Sequence, residues 1–379
     1  MNRIITYCCL ALTGIISAGC IEEYDHPGLE SLENLLVVEG FITGGETTIS
    51  ISRSVSLDSE YSSAPANPAV VSVETESGLS LSPYHSSGGT YYITTGELDP
   101  NTRYRLKIEL DGETYASEFL VPLSTPPIDT MVRYKRSTGR PVEYRISTLG
   151  EENDSPYYLW AYQEIWEIKA HLRANAYQIN PPDSPIVPVD SYTPYYYCWK
   201  YNRSNSLLLG STVKLNENRI ADFTLFEIDP TTDRLDSELY WIRIRQNSLR
   251  PEAHTYFSVL KTNVESTGSI FGVVPSEMKG NIACLSDPDI PVIGYVEVTD
   301  TQWKDIFMER DPTLFENKSH FCPMVTGPSD AEEKGLDWLN FAIYEESMEE
   351  NIFALKKCVD CRQNGGSKSK PAFWPNDHE

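Results

Sequence analysis

Positive charge is scarce in this chain: 31 Lys and Arg stand against 55 Asp and Glu in 379 residues, a formal charge of −24. Such a surface repels phosphate backbones, which excludes nucleic acid as a partner. Long apolar runs are missing apart from one at the N-terminus, residues 4–16, which is too short for an ordinary bilayer span, so a polytopic membrane protein is excluded. Histidine is rare, and the six present (His26, His85, His171, His254, His320 and His378) form no H-E-x-x-H or H-x-H. There is no G-x-S-x-G, no G-x-x-x-x-G-K and no dinucleotide fingerprint. No cofactor, no metal and no catalytic residue is expected from these patterns. Adjacent acids such as Glu22-Glu23, Glu151-Glu152, Glu332-Glu333 and Glu349-Glu350 are what chance yields among 55 carboxylates. Neighbours on a strand also point to opposite faces, whereas glycoside hydrolysis needs two convergent carboxyls.

What is present begins with an address. Arg3, the apolar run and then Ser17-Ala18-Gly19-Cys20 have the order of a bacterial secretory signal. The tripeptide before Cys20 resembles the lipobox of bacterial lipoproteins, which makes Cys20 the expected lipidation site and residues 1–19 the signal peptide; ordinary cleavage near Ala18 is the alternative. Removing residues 1–19 takes away Arg3 and no acid, so 30 bases face 55 acids and the charge becomes −25. Residues 20–34 are polar and acidic, with Pro27 and Gly28, and read as an acylated tether. The cluster Glu22-Glu23-Tyr24-Asp25 resembles the export signal of surface lipoproteins, which places the expected site on the outer face of the outer membrane.

The body reads as mainly β. Short β-branched and aromatic runs at 35–40, 47–51, 70–74, 90–93 and 104–108 are separated by turn chemistry, including Asp111-Gly112 before 114–121. The proline turn before Tyr104 is similar to the tyrosine corner of immunoglobulin-like sandwiches, so residues 35–125 are expected to form one such β-sandwich. Pro122 and Pro126-Pro127 mark the boundary, near Thr125. Residues 126–379 read as a larger β-rich domain with one or two inserted helices. Its strands are expected at 144–147, 157–168, 206–209, 222–228, 239–245 and 292–298, and residues 180–188 as an exposed proline-rich loop. Pro251 followed by Ala253, Tyr256, Phe257, Leu260 and Val264 predicts a helix over 250–265, and a second short helix is expected over 301–308.

Eight cysteines are present, but Cys8 and Cys9 leave with the signal and Cys20 is the acyl anchor. Cys198, Cys284, Cys322, Cys358 and Cys361 remain as disulfide candidates that staple the C-terminus, with one thiol left over. A zinc or redox reading of Cys358-x-x-Cys361 lacks further ligands and the usual strand-to-helix setting. Tyr192, Tyr195, Tyr196 and Tyr197, beside the proline-rich loop, are candidate contacts to a glycan or peptide, since rings on loops stack on sugars or clamp backbones. The alternative is that they cover a half-buried sheet.

Several segments together resemble one family. They are Tyr158-Leu159-Trp160, Glu164-Ile165-Trp166-Glu167, Cys198-Trp199, Gln246-Asn247-Ser248-Leu249 leading into Tyr256-Phe257, and Gly268-Ser269-Ile270-Phe271 with Pro275. Further along stand Gly280-Asn281-Ile282, Ile293-Gly294-Tyr295 and the ending Cys358-x-x-Cys361-Arg362, Gly365-Gly366, Lys370-Pro371-x-Phe373-Trp374. The chain resembles, from about Leu36 to Trp374, the Bacteroidota lipoprotein family of domain of unknown function four-two-four-nine. The resemblance implies an outer-membrane lipoprotein encoded beside TonB-dependent receptors, hence an accessory of nutrient uptake that captures a ligand or caps the receptor. It brings no catalytic residues. An envelope hydrolase on glycan or peptide, and a structural or adhesive surface protein, are the alternatives.

Overall fold

Residues 34–55, 67–189, 193–266, 280–316 and 321–375 are described by the structure, a computed structural model. The expected signal peptide, Cys20, most of the tether, Tyr192 and the 268–275 segment lie outside these residues. The chain is mainly β, with few helices among the described residues.

Alternation of apolar and polar residues builds two five-stranded sheets in the N-terminal body. One contains Leu36–Ile42, Gly45–Arg53, Thr90–Gly96 and His85–Ser87; the other contains Glu113–Ser117, Tyr104–Leu110, Val70–Thr75 and Ser80–Leu81. Between them lies a largely aliphatic core in which Ile49, Val73, Ile93, Leu106 and Ile108 are fully buried. The tyrosine corner is formed: the Asp99 amide donates to the Tyr104 hydroxyl at 2.9 Å.

Each sheet also takes an edge strand from far along the chain, which the expected limit at residue 125 left in the second region. Val292–Val298 pairs in parallel with Leu36–Ile42, and Ile282–Cys284 pairs antiparallel with Glu113–Ser117. Their apolar alternation is visible in the sequence; the sheet they join is a long-range choice with no local signal. The motif residues of the resemblance make this docking possible. Asn281 donates to the Val296 carbonyl and accepts from the Val296 amide, both at 2.9 Å. A Cβ on Gly280 would stand 1.7 Å from the Gly294 carbonyl oxygen, so only glycine admits the approach.

In the second body the strands Arg219–Ile228, Val142–Leu149 and Ile128–Lys135 form a three-stranded sheet. It shares a core with a five-stranded sheet of Tyr197–Arg203, Tyr157–Lys169, Leu239–Ser248 and Thr301–Glu309, with Leu208–Ser211 paired to the 157–169 strand. This core is aromatic, built from Tyr144, Tyr158, Trp160, Trp166 and Tyr240. It also encloses a carboxylate, Glu164, which accepts from Asn202 at 2.6 Å and from the Tyr240 hydroxyl and pairs with Arg234 at 2.9 Å. With period two, the face of this strand that carries Tyr158, Trp160, Tyr162, Glu164, Trp166 and Ile168 lines this core.

The helix Pro251–Ser266 forms as predicted. The helix expected over 301–308 does not form: Thr301–Glu309 is a strand paired with Leu239–Ser248. Its exposure has period two, with Trp303, Asp305 and Phe307 outward and Ile306 and Met308 packed on the core, and this alternation prevails over the Asp300 start signal. Lys304 donates to the Asp129 carbonyl at 3.1 Å and Arg133 to the Glu309 carbonyl at 2.8 Å, which ties this strand to Ile128–Lys135.

The proline-rich joint is a buried clasp rather than a free linker. The Leu123 amide donates to the Val298 carbonyl at 3.0 Å, the Ser248 amide to the Thr125 hydroxyl at 2.9 Å, and Gln246 to the Pro126 carbonyl at 2.7 Å. Beside it, fully buried Glu297 accepts from the Arg250 and Val298 amides, each at 2.9 Å, and pairs with the Arg250 guanidinium. The C-terminal segment adds a three-stranded sheet, Met324–Val325, Ile352–Leu355 and Phe341–Glu345. From it the tail runs back to bridge Ser367 with Trp199 and to bury Trp374, whose indole donates to Glu167 at 2.9 Å.

Candidate functional site

Of the residues singled out in the sequence, the cysteines are the most clearly disposed. Cys198 bonds Cys361 and Cys322 bonds Cys358, while Cys284 is free and buried. The two cysteines of the C-x-x-C therefore belong to different bridges and cannot form a redox pair with each other. Together they pin the C-terminal segment to the 197–203 strand and to the chain near residue 322. Cys284 sits 3.3 Å from the Ser286 hydroxyl. Among the described residues no group of three or more His, Cys, Asp or Glu is placed to hold a metal ion.

The described tyrosines are half-buried; Tyr196 and Tyr197 meet edge to face with ring centres 4.7 Å apart, and Tyr195 lies in other contacts. Tyr195 lies under the Arg362 guanidinium, 3.4 Å from its ring centre, and edge-on to Tyr177. Tyr196 faces Arg173, and Tyr197 packs in a cluster with Ile165, Trp199, Leu239, Trp241 and Trp374. The structure thus does not gather Tyr195, Tyr196 and Tyr197 around one opening; each packs against the C-terminal segment or the sheet.

An opening exists elsewhere. A cavity of about 540 Å³, within the size range of small-molecule sites, lies between the loops 149–156 and 212–218 at one end of the second body. Its floor is Asn218, whose side chain donates to the Asp154 carbonyl at 3.2 Å and accepts from Tyr158 at 2.9 Å and Thr212 at 2.7 Å. Burial pushes the Tyr158 hydroxyl up to about 12, which keeps it a neutral donor to Asn218. Gly150 donates its amide to the Asn218 carbonyl at 2.8 Å, and a Cβ there would come within 2.6 Å of the Asn218 amide nitrogen. The floor is therefore held from both loops. Around it stand three apolar side chains, Leu149, Val213 and Leu215, each more than half exposed, with the carboxylates Glu152, Asp154 and Glu217.

This lining suits a ligand that offers hydrogen-bond donors or positive charge beside an apolar part. It includes no histidine or cysteine, and its one hydroxyl, on Thr212, is already donated to Asn218. Of the adjacent acid pairs, only Glu151-Glu152 reaches the cavity, and only Glu152 lines it; Glu151 gives its amide to Asp154 at 2.9 Å. Sequence reasoning missed the site because it joins two loops about 60 residues apart whose side chains carry no motif.

The chain folds as a β-sandwich joined to a larger β-rich, disulfide-stapled body with an open cavity between two of its loops. The chain belongs to the family described as domain of unknown function (DUF4249), whose model matches residues 21–305. No curated protein matches the chain. The matched stretch spans the sandwich with both of its late strands and ends within Thr301–Glu309, so the C-terminal segment lies beyond it. Several segments that carried the resemblance are explained by packing: Gly280, Asn281 and Gly294 dock the late strands, Gln246 holds the clasp, and Glu167 holds Trp374.

Proposed function

We propose that the protein is an outer-membrane lipoprotein, anchored through Cys20 and facing the cell exterior, that captures a ligand for a TonB-dependent receptor or sits on that receptor during nutrient uptake. The observation that carries the reading is the open cavity at the 149–156 and 212–218 loops, whose fixed floor and mixed acidic and apolar walls are built for binding. The lipobox-like Ser17-Ala18-Gly19-Cys20 and the acidic tether support the anchor. A glycan bearing amino groups or a peptide with basic and apolar side chains has the matching chemistry.

The test is purification in mild detergent of the native, C-terminally tagged protein from its own membrane, with Cys20→Ala as the control and mass spectrometry of what comes with it. Stoichiometric recovery of a TonB-dependent receptor, lost in the control, is the expected outcome. Recovery of the protein alone would overturn the receptor association. Protease shaving of intact cells tests the face, and protection while a known surface protein is digested would sink the exterior placement.

A further inference from the structure

The sheet of the second body has one face on the aromatic core; its other face carries a different set of side chains. Strand register places Tyr201, Ile165, Trp241 and Phe307 in one row across it. The next row is Arg203, Gln163, Arg243 and Asp305, and beyond it Arg245 stands opposite Trp303. The C-terminal tail lays Phe373 against Trp241, with ring centres 4.7 Å apart. Four rings are thereby held out to solvent: Tyr201, Trp303, Phe307 and Phe373, exposed by 49%, 57%, 43% and 51%. Trp303 and Phe307 are four residues apart on one strand, about 13 Å, with the polar row between them.

Charge on this face runs against the rest of the molecule. In a chain with 55 acids and 31 bases, three arginines here stand with two exposed acids, Asp305 and Glu309, and the buried Glu167. Arg243 uses Asp305 completely, in a two-pronged pair with both contacts at 2.6 Å. Arg203 and Arg245 have no carboxylate partner among the described residues. Arg245 is half-buried, its guanidinium 5.4 Å from the Phe41 ring centre, and burial depresses its basicity with no acid to offset the cost. An anion brought to this face would relieve that cost.

We propose that this face is a binding platform for an anionic glycan, a polysaccharide chain bearing carboxylate or sulfate. The outward rings stack on the apolar faces of sugar rings, and strands hold them with little side-chain freedom left to lose. Gln163 offers a planar donor and acceptor to hydroxyls between the rings, while Arg203 and Arg245 take the acid groups in forked geometry. A peptide is disfavoured because both edges of the sheet are occupied, one tied through Lys304 and Arg133 to Ile128–Lys135, the other bridged by Ser367 to Trp199. These contacts hinder strand addition at the edges, so recognition on the face itself rests on side chains. The platform is separate from the cavity and needs neither the anchor nor a receptor.

The test is affinity electrophoresis of the full chain in gels containing polygalacturonate, dextran sulfate or neutral dextran, with poly-glutamate as a competitor. A protein of this net charge is repelled by polyanions in general, so retardation reports a local site. Retardation by at least one acidic polysaccharide and not by dextran is expected, weakened about tenfold by Trp303→Ala and by Arg203→Ala. Phe373→Ala, on the tail, is expected to act in the same direction, and Leu79→Ala, on the sandwich, to leave binding unchanged. Failure of both acidic polysaccharides to retard the chain would overturn the proposal, as would retardation that survives Trp303→Ala. Equal competition by poly-glutamate would assign the face to acidic peptides instead.

Discussion

The two bodies bury their side chains by different means. The sandwich encloses mainly aliphatic residues such as Ile49, Val73, Leu106 and Ile108, which hold one another by close packing, with hydrogen-bonded Tyr91 and Tyr104 at the margin. The second body encloses Tyr144, Tyr158, Trp160, Trp166 and Tyr240, rings with polar ends, and with them a carboxylate and an amide. Most of these polar ends have a partner, Trp160 donating to Gln246 at 2.7 Å and Tyr240 to Glu164, while the buried Tyr144 hydroxyl has none among the described residues. An aliphatic core tolerates graded change, whereas a core wired by hydrogen bonds fails at single points, because a lost partner leaves a desolvated group behind. Glu297, at the junction, belongs to the second kind although it sits on a sandwich strand.

The largest effect is expected where a buried charge loses its partner. Arg234→Met leaves Glu164 enclosed without its cation and should cost about 3–5 kcal/mol, read as a fall in the urea midpoint. An unchanged midpoint would show that Tyr240 and Asn202 suffice and that the contrast between the cores is overstated.

Arg250→Met should cost about as much at neutral pH, and it adds a pH signature. Burial raises the Glu297 carboxyl above its ordinary value, opposed by Arg250 and by the amides of Arg250 and Val298. Between the ordinary and the raised value the folded state holds more protons than the unfolded one, so the contribution of this group falls as pH rises through that window. Without Arg250 the window widens upward, and above the ordinary carboxylate range urea midpoints of the variant should decline more steeply with rising pH than those of the parent. A parallel pH profile would remove Glu297 as the cause.

The smallest effect is expected in the aliphatic core: Ile108→Val should cost about 1 kcal/mol with no change in pH profile, by thermal melting. A cost as large as that of Arg234→Met would erase the distinction between the two bodies.

Much of the architecture was legible because alternation is a local property. The strands around Val71, Tyr104, Trp160 and Val296 were readable from period two, and Pro251 with its apolar spacing marked the helix. The segment 301–309 misled because a nine-residue amphipathic run with an aspartate before it satisfies both periods; its pairing with Leu239–Ser248 decided between them. The aromatic density was also legible, but its location was not. The tyrosines beside the proline-rich loop went to packing, while the outward rings Trp303, Phe307 and Phe373 come from two segments brought together only by the tail.

By itself the sequence determined the acidic balance, the mainly β character, the tyrosine corner and the count of cysteines available to the C-terminus, because each follows from composition or from neighbours a few residues apart. Tertiary structure alone decided that 282–298 completes the sandwich, that Cys358 and Cys361 serve different bridges, and that two motif-free loops enclose a cavity. Those outcomes depend on which distant surfaces bury each other best. That comparison is made across the whole folded chain and leaves no mark on any short stretch of it.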